Sequence, residues 1–116
     1  DDLAFAPNGT LYVTDNNGGR IMSVTSNGVF TQLIAGLVSP DGIAVDTDGT
    51  RLFVMHYPNG SRLDRVSLPG GVLTAGPAVN IDGGWYTTGV IADANNNVFY
   101  KSTSNGQATV AFVNVP

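Results

Sequence analysis

At 116 residues, 42% apolar and without a cysteine, the chain has the length of one domain with a hydrophobic core, and it excludes disulfides and thiolate chemistry. A formal net charge of −4 with only five scattered basic residues argues against nucleic acid or an anionic membrane surface as partner, since both demand clustered Lys and Arg. No apolar run approaches the roughly 18 residues of a membrane span, so no membrane insertion is expected.

Glutamate is absent and Lys101 is the one lysine, while 15 glycines punctuate the sequence. That composition starves helices of their surface residues and suits short strands joined by tight turns. Taken in order, the pattern predicts strands over Leu3 to Ala6, Leu11 to Asp15, Arg20 to Thr25 and Val29 to Ala35. Their turns are Pro7-Asn8-Gly9-Thr10, Asn16-Asn17-Gly18-Gly19 and Ser26-Asn27-Gly28. A second set covers Gly42 to Val45, Leu52 to His56, Arg62 to Leu68 and Val72 to Thr74. A third covers Val90 to Asp93, Val98 to Ser102 and Thr109 to Val113, giving an antiparallel meander of 4 + 4 + 3 strands.

The three sets open on the same phrase: apolar strand, tight turn, apolar strand. It reads Leu3-Ala4-Phe5-Ala6-Pro7-Asn8-Gly9-Thr10-Leu11-Tyr12-Val13, then Ile43 to Val54 around Asp48-Gly49, then Val90 to Tyr100 around Asn95-Asn96. Gly9 and Gly49 are 40 residues apart, and Gly42 and Gly89 are 47 apart. A period of this size marks stacked supersecondary units, and four-stranded propeller blades are the main all-β candidate. The units are blade 1 over residues 1–40, blade 2 over 41–87 and a partial blade 3 over 88–116, forming a single partial propeller domain. Consecutive apolar residues in the first strand of each unit predict burial on both faces, as in a sheet held between two neighbours. Charges in Arg62-Leu63-Asp64-Arg65-Val66 place that strand nearer the rim. A sandwich or jelly roll would not require the phrase to recur, and is the lesser expectation.

Pro40-Asp41-Gly42-Ile43-Ala44-Val45-Asp46-Thr47-Asp48-Gly49, with Leu52-Phe53-Val54 and Asn59-Gly60-Ser61-Arg62-Leu63 behind it, resembles a blade of the gluconolactonase and regucalcin-like propellers. It is also similar to NHL-repeat propellers. The resemblance implies a six-bladed ring, for which about 240 to 280 residues are needed at this period. Three blades leave an apolar face uncovered at each end of the stack. Such a chain is expected to be part of a longer protein, to close a ring with a second copy, or to add head to tail into a filament.

Inner strands begin, and second strands end, at one mouth of a propeller's channel. That rule gathers Asp1, Asp2, Asp41 and Thr88 with Asp15, Asn16, His56, Tyr57, Ser102 and Thr103. Oxygens converging there suit a hard divalent cation such as Ca²⁺. The resemblance implies a metal ligand at Asp41, because gluconolactonase-like enzymes hold a divalent ion with a Glu, an Asn and the Asp of a Pro-Asp-Gly phrase. The Glu and Asn have no counterparts in this chain. His56, the one histidine, reads as surface polarity at a strand end, and Asp46, Asp48 and Asp93 read as turn chemistry. Trp85 and Tyr86, just before the third inner strand, could stack on a sugar or pack between blades. Asn8-Gly9-Thr10 and Asn59-Gly60-Ser61 match the glycosylation acceptor pattern, although Asn-Gly is also a favoured turn. If Asn8 and Asn59 are used, the protein is extracellular; an extracellular or periplasmic location is the expectation.

The function expected from these readings is a non-catalytic scaffold or binding module that acts through blade-to-blade or chain-to-chain association. The alternative is part of a metal-dependent lactonase-type hydrolase with Asp41 as ligand. A third reading has Trp85 and Tyr86 recognising carbohydrate.

Overall fold

A computed structural model describes residues 2–76, 89–104 and 107–115, with backbone alone for 102–104 and 107–108. Asp1, Trp85, Tyr86 and Thr88 lie outside the described residues, as do the side chains of Ser102 and Thr103. The described residues contain eleven strands and no helix. They are β1 (Leu3–Phe5), β2 (Leu11–Asp15), β3 (Arg20–Val24), β4 (Phe30–Ile34), β5 (Ile43–Val45), β6 (Arg51–His56), β7 (Arg62–Ser67), β8 (Leu73–Thr74), β9 (Val90–Ala92), β10 (Asn97–Ser104) and β11 (Gln107–Asn114). Each set is a separate antiparallel meander, β1-β2-β3-β4, β5-β6-β7-β8 and β9-β10-β11.

The recurring turn explains the recurring phrase. Gly9, Gly49 and Asn96 occupy one position in three successive blades, at φ +88°, +71° and +61°. In each, the amide donates to the carbonyl three residues back: Ala6 at 2.9 Å, Asp46 at 3.1 Å and Asp93 at 3.1 Å. Left-handed backbone there favours Gly, and Asn tolerates it best among the others. The sequence therefore repeats a Gly or Asn because the turn repeats. The Asp side chains brace it: Asp46 accepts from the Thr50 amide at 2.8 Å, and Asp93 accepts from the Asn97 amide at 2.9 Å.

Alternation along β2 and β6 sends side chains to opposite faces, and the blades stack on those faces. Tyr12 and Ile21 of blade 1 pack against Ile43, Leu52, Val54 and Val66 of blade 2. Ala44, Phe53, Met55 and Leu63 on the other face pack against Val90, Val98, Tyr100 and Val115 of blade 3. Arg51 ties this second junction at its lower edge. Its Nη2 donates to the Val115 carbonyl at 2.8 Å, and its guanidinium lies 5.0 Å from the Phe53 ring centre.

Burial of the inner strands on both faces holds for the middle blade and fails at the ends. Ile43 and Ala44 are buried, whereas Leu3 is 57%, Phe5 67% and Ile91 69% exposed. The reason is neighbour number: β5 lies between two blades, while β1 and β9 each have one. The outer face of blade 1 carries Leu3, Phe5, Leu11, Val13, Val24 and Phe30, and that of blade 3 carries Ile91, Phe99, Val110 and Phe112. Phe99 and Phe112 are cross-strand partners with ring centres 5.4 Å apart.

Candidate functional site

The inner strands converge along one open groove of about 360 Å³, lined by Asp2, Ala4, Ile43, Val45 and the start of β9. At its upper end stand the residues that the strand-end rule selects, and most of them hold backbone in place. Asp2 staples β1 to β5: its Oδ2 accepts from the Ile43 amide at 3.0 Å, and its Oδ1 accepts from the Leu3 amide at 2.9 Å. The Thr14 hydroxyl donates to the Asp41 carbonyl at 2.8 Å and accepts from the Asp2 amide at 2.9 Å. The Asn16 amide group donates to the Pro40 carbonyl at 3.2 Å, and the Tyr57 amide donates to the Val38 carbonyl at 2.8 Å. Tyr57 itself is half-buried against the core between blades 2 and 3.

Asp15 turns outward to Arg20, whose Nε lies 2.7 Å from Oδ2, while Gly18 donates its amide to Oδ1 at 3.0 Å. The Arg20 hydrogen bond, seconded by the Gly18 amide, holds the Asp15 carboxyl below the usual range. The pair is exposed and contributes little to stability.

Asp41 is different. It is 2% exposed, and its Oδ1 has no hydrogen-bond partner. Burial raises its pKa above the ordinary carboxylate value, and the nearby Asp2 carboxylate adds to the effect. The divalent-ion reading can be tested against this geometry. Among the described residues no three of His, Cys, Asp and Glu stand close enough to hold a metal ion, so Asp41 offers one carboxylate and not a ligand set. The described residues do not by themselves fit a divalent centre.

His56 and Asp64 overturn two sequence readings. His56 is buried rather than decorating the surface, and Asp64 is fully buried rather than lying at the rim. The hairpin pairs His56 with Arg62 and Val54 with Asp64, so His56, Arg62 and Asp64 share one face. His56 Nε2 lies 2.5 Å from Asp64 Oδ2, and Arg62 grips both carboxylate oxygens at 2.8 and 2.7 Å. The Gly76 amide donates to Oδ1 at 2.7 Å, fixing the backbone that leaves β8. Burial pushes the Asp64 carboxyl up, but the bonds from Arg62, Gly76 and His56 outweigh it and hold the carboxyl below its ordinary value. Counting the register outward from the five-residue loop Tyr57 to Ser61 is the sequence signal that finds this cluster. Asn8 and Asn59 both stand on exposed turns, where Asn8 Oδ1 accepts from the Thr10 amide at 3.0 Å.

No protein-family model matches the chain, and no curated protein matches it. Solved structures do. Hydrazine synthase from Kuenenia stuttgartiensis superposes with a TM-score of 0.77 at 17% identity, over 97% of this chain and 31% of that one. A gluconolactonase from Xanthomonas campestris gives 0.70 at 18%, over 97% and 46%. Virginiamycin B lyase from Staphylococcus aureus gives 0.63 at 19%, over 98% and 41%. The chain is a run of propeller blades. It spans less than half the length of each of these three structures. At such identities the likeness concerns fold, and unrelated tasks share this fold.

Proposed function

We propose that the chain is a propeller scaffold whose working surfaces are its two outer blade faces, each receiving a further blade. The observation that supports this is positional. Leu3, Leu11, Val13 and Val24 on the outer face of blade 1 stand at the strand positions of Ile43, Leu52, Val54 and Val66, which face blade 1 from blade 2 and are at most 1% exposed. Likewise Ile91 and Phe99 on the outer face of blade 3 stand at the positions of Ala44 and Phe53. Both ends thus present a face of the kind that is already packed inside the stack. Covering a large apolar side chain contributes about 1.5–3 kcal/mol, so a handful of them drives association. Concentration-dependent light scattering tests the reading. Association that weakens in Phe5→Asp and Phe112→Asp, with unchanged circular dichroism, supports it; association indifferent to both substitutions would refute it.

A second reading draws on Asp41, a buried carboxylate with an unsatisfied oxygen at the mouth of the groove. In a lactonase-type hydrolase it would be one ligand of a divalent ion whose other ligands come from further blades. Calorimetric titration with Ca²⁺, on the wild type and on Asp41→Ala, decides it. Stoichiometric uptake lost in the variant favours the hydrolase, and no uptake by an assembly with all its blades removes it.

A further inference from the structure

We infer that the blades covering both outer faces belong to a second copy of this chain, the two copies closing one six-bladed ring through two identical head-to-tail junctions. The inference rests on the scaffold reading above and adds the occupant. Three observations carry it. The two outer faces are opposite sides of a blade, so blade 3 of one copy meets blade 1 of another in the way that blade 1 meets blade 2 and blade 2 meets blade 3 within the chain. The chain covers 97% of itself but 46% of the gluconolactonase structure, so two copies supply about the length of that one chain. The charges also agree with this pairing: Lys101 of β10 stands at the strand position of Thr14 and Met55. Thr14 reaches across its junction to the backbone just ahead of β5. The same reach across the new junction brings Lys101 to the start of β1, where Asp2 lies.

Head-to-tail contacts either close or run on as a filament, and a shared two-fold axis makes closure at two copies possible with three blades each. Closure also completes the groove. Its open side would be walled by the partner's inner strands, and the channel mouth would carry two copies each of Asp2 and Asp41.

The test is native mass measurement on the purified 116-residue chain with its two face variants. The wild type is expected at about 24 kDa, twice the 12.0 kDa chain. Phe5→Asp and Phe112→Asp, both at exposed positions of the single chain, are each expected to weaken the dimer by at least about 100-fold, because a carboxylate is carried into an apolar junction. Mixed together, they should recover part of the dimer, since one of the two junctions then contains neither substitution. Urea midpoints equal to wild type confirm that each variant folds. A ladder of higher masses overturns the closed ring and leaves blade-face association standing. A dimer lost in one variant and intact in the other overturns head-to-tail pairing. A monomer at every concentration, indifferent to both substitutions, overturns the second copy and the scaffold reading together.

Discussion

Replacing Asp64 with asparagine removes the anion on which four donors converge, and the size of the loss follows from their burial. Asp64 and His56 are sealed from water, whereas the Arg62 side chain is 34% exposed. Breaking a fully buried pair costs about 3–5 kcal/mol, chiefly because the surviving charge is left without water or partner. Arg62 can regain water, which trims that range from above. An asparagine oxygen still accepts one bond, so the other donors lose charge-assisted bonds worth about 1.5–3 kcal/mol each only in part. A loss of about 3 kcal/mol is expected. With a urea slope of about 1.5 kcal/mol per molar, the midpoint should fall by about 2 M. The pH dependence fixes the cause. The folded Asp64 pKa is lowered, so its contribution is full above the ordinary carboxylate value, near 3.9, and disappears as pH falls through that value toward the folded one. The gap between wild type and Asp64→Asn should therefore be complete at pH 7 and shrink below about pH 4. A gap under about 1 kcal/mol at pH 7, or one equally large at pH 3, would refute the argument.

Three further outcomes test other parts of the fold. Leu52→Ala in the sandwiched blade should cost about 2–5 kcal/mol, and Leu11→Ala at the same strand position in blade 1 should cost under about 1 in dilute monomer; equal costs by denaturant titration there would mean that the blade-stacking account is wrong. Gly9→Ala should cost about 1 kcal/mol for its left-handed backbone alone, since a methyl there meets nothing. Gly19→Ala should cost clearly more, because its methyl would lie 2.5 Å from the Leu37 carbonyl oxygen, and a melting-temperature comparison ranks the two. Asp41→Asn should raise the melting temperature at neutral pH and leave it unchanged at pH 3. Its raised folded pKa means that ionisation destabilises the fold as pH rises from the ordinary carboxylate value through the folded one. A loss at pH 7 would show that the carboxylate has a partner in solution.

The order of strands was legible because turn chemistry is local: Pro7 to Thr10 and Thr47 to Thr50 carry their own signal, and the period carried the stacking. Strand ends shifted by a residue or two. The exception is the β10–β11 hairpin, which pairs eight residues on each strand, from Asn97↔Asn114 to Ser104↔Gln107. Its Ser, Thr, Asn and Gln-rich end gave no apolar pattern to follow. Uncovered faces could not be read from Leu3 or Ile91, since the residues are those of a buried strand and only the count of neighbours differs. The His56–Asp64–Arg62 cluster was hidden for another reason. Charges in a strand read as solvated, and recognising them as a mutually satisfied buried set requires the hairpin register.

The position of blade 2 has a kinetic consequence. An amide of β6 reaches solvent only by an opening that breaks packing on two sides, whereas β1 and β9 are released by losing one. Hydrogen exchange should therefore be slowest in the middle of the sequence and quicken toward both ends, with blade edges exchanging by excursions that leave β6 protected. Each added neighbour then moves the fastest-exchanging strands outward by one unit. In a closed ring that gradient has no ends at which to begin.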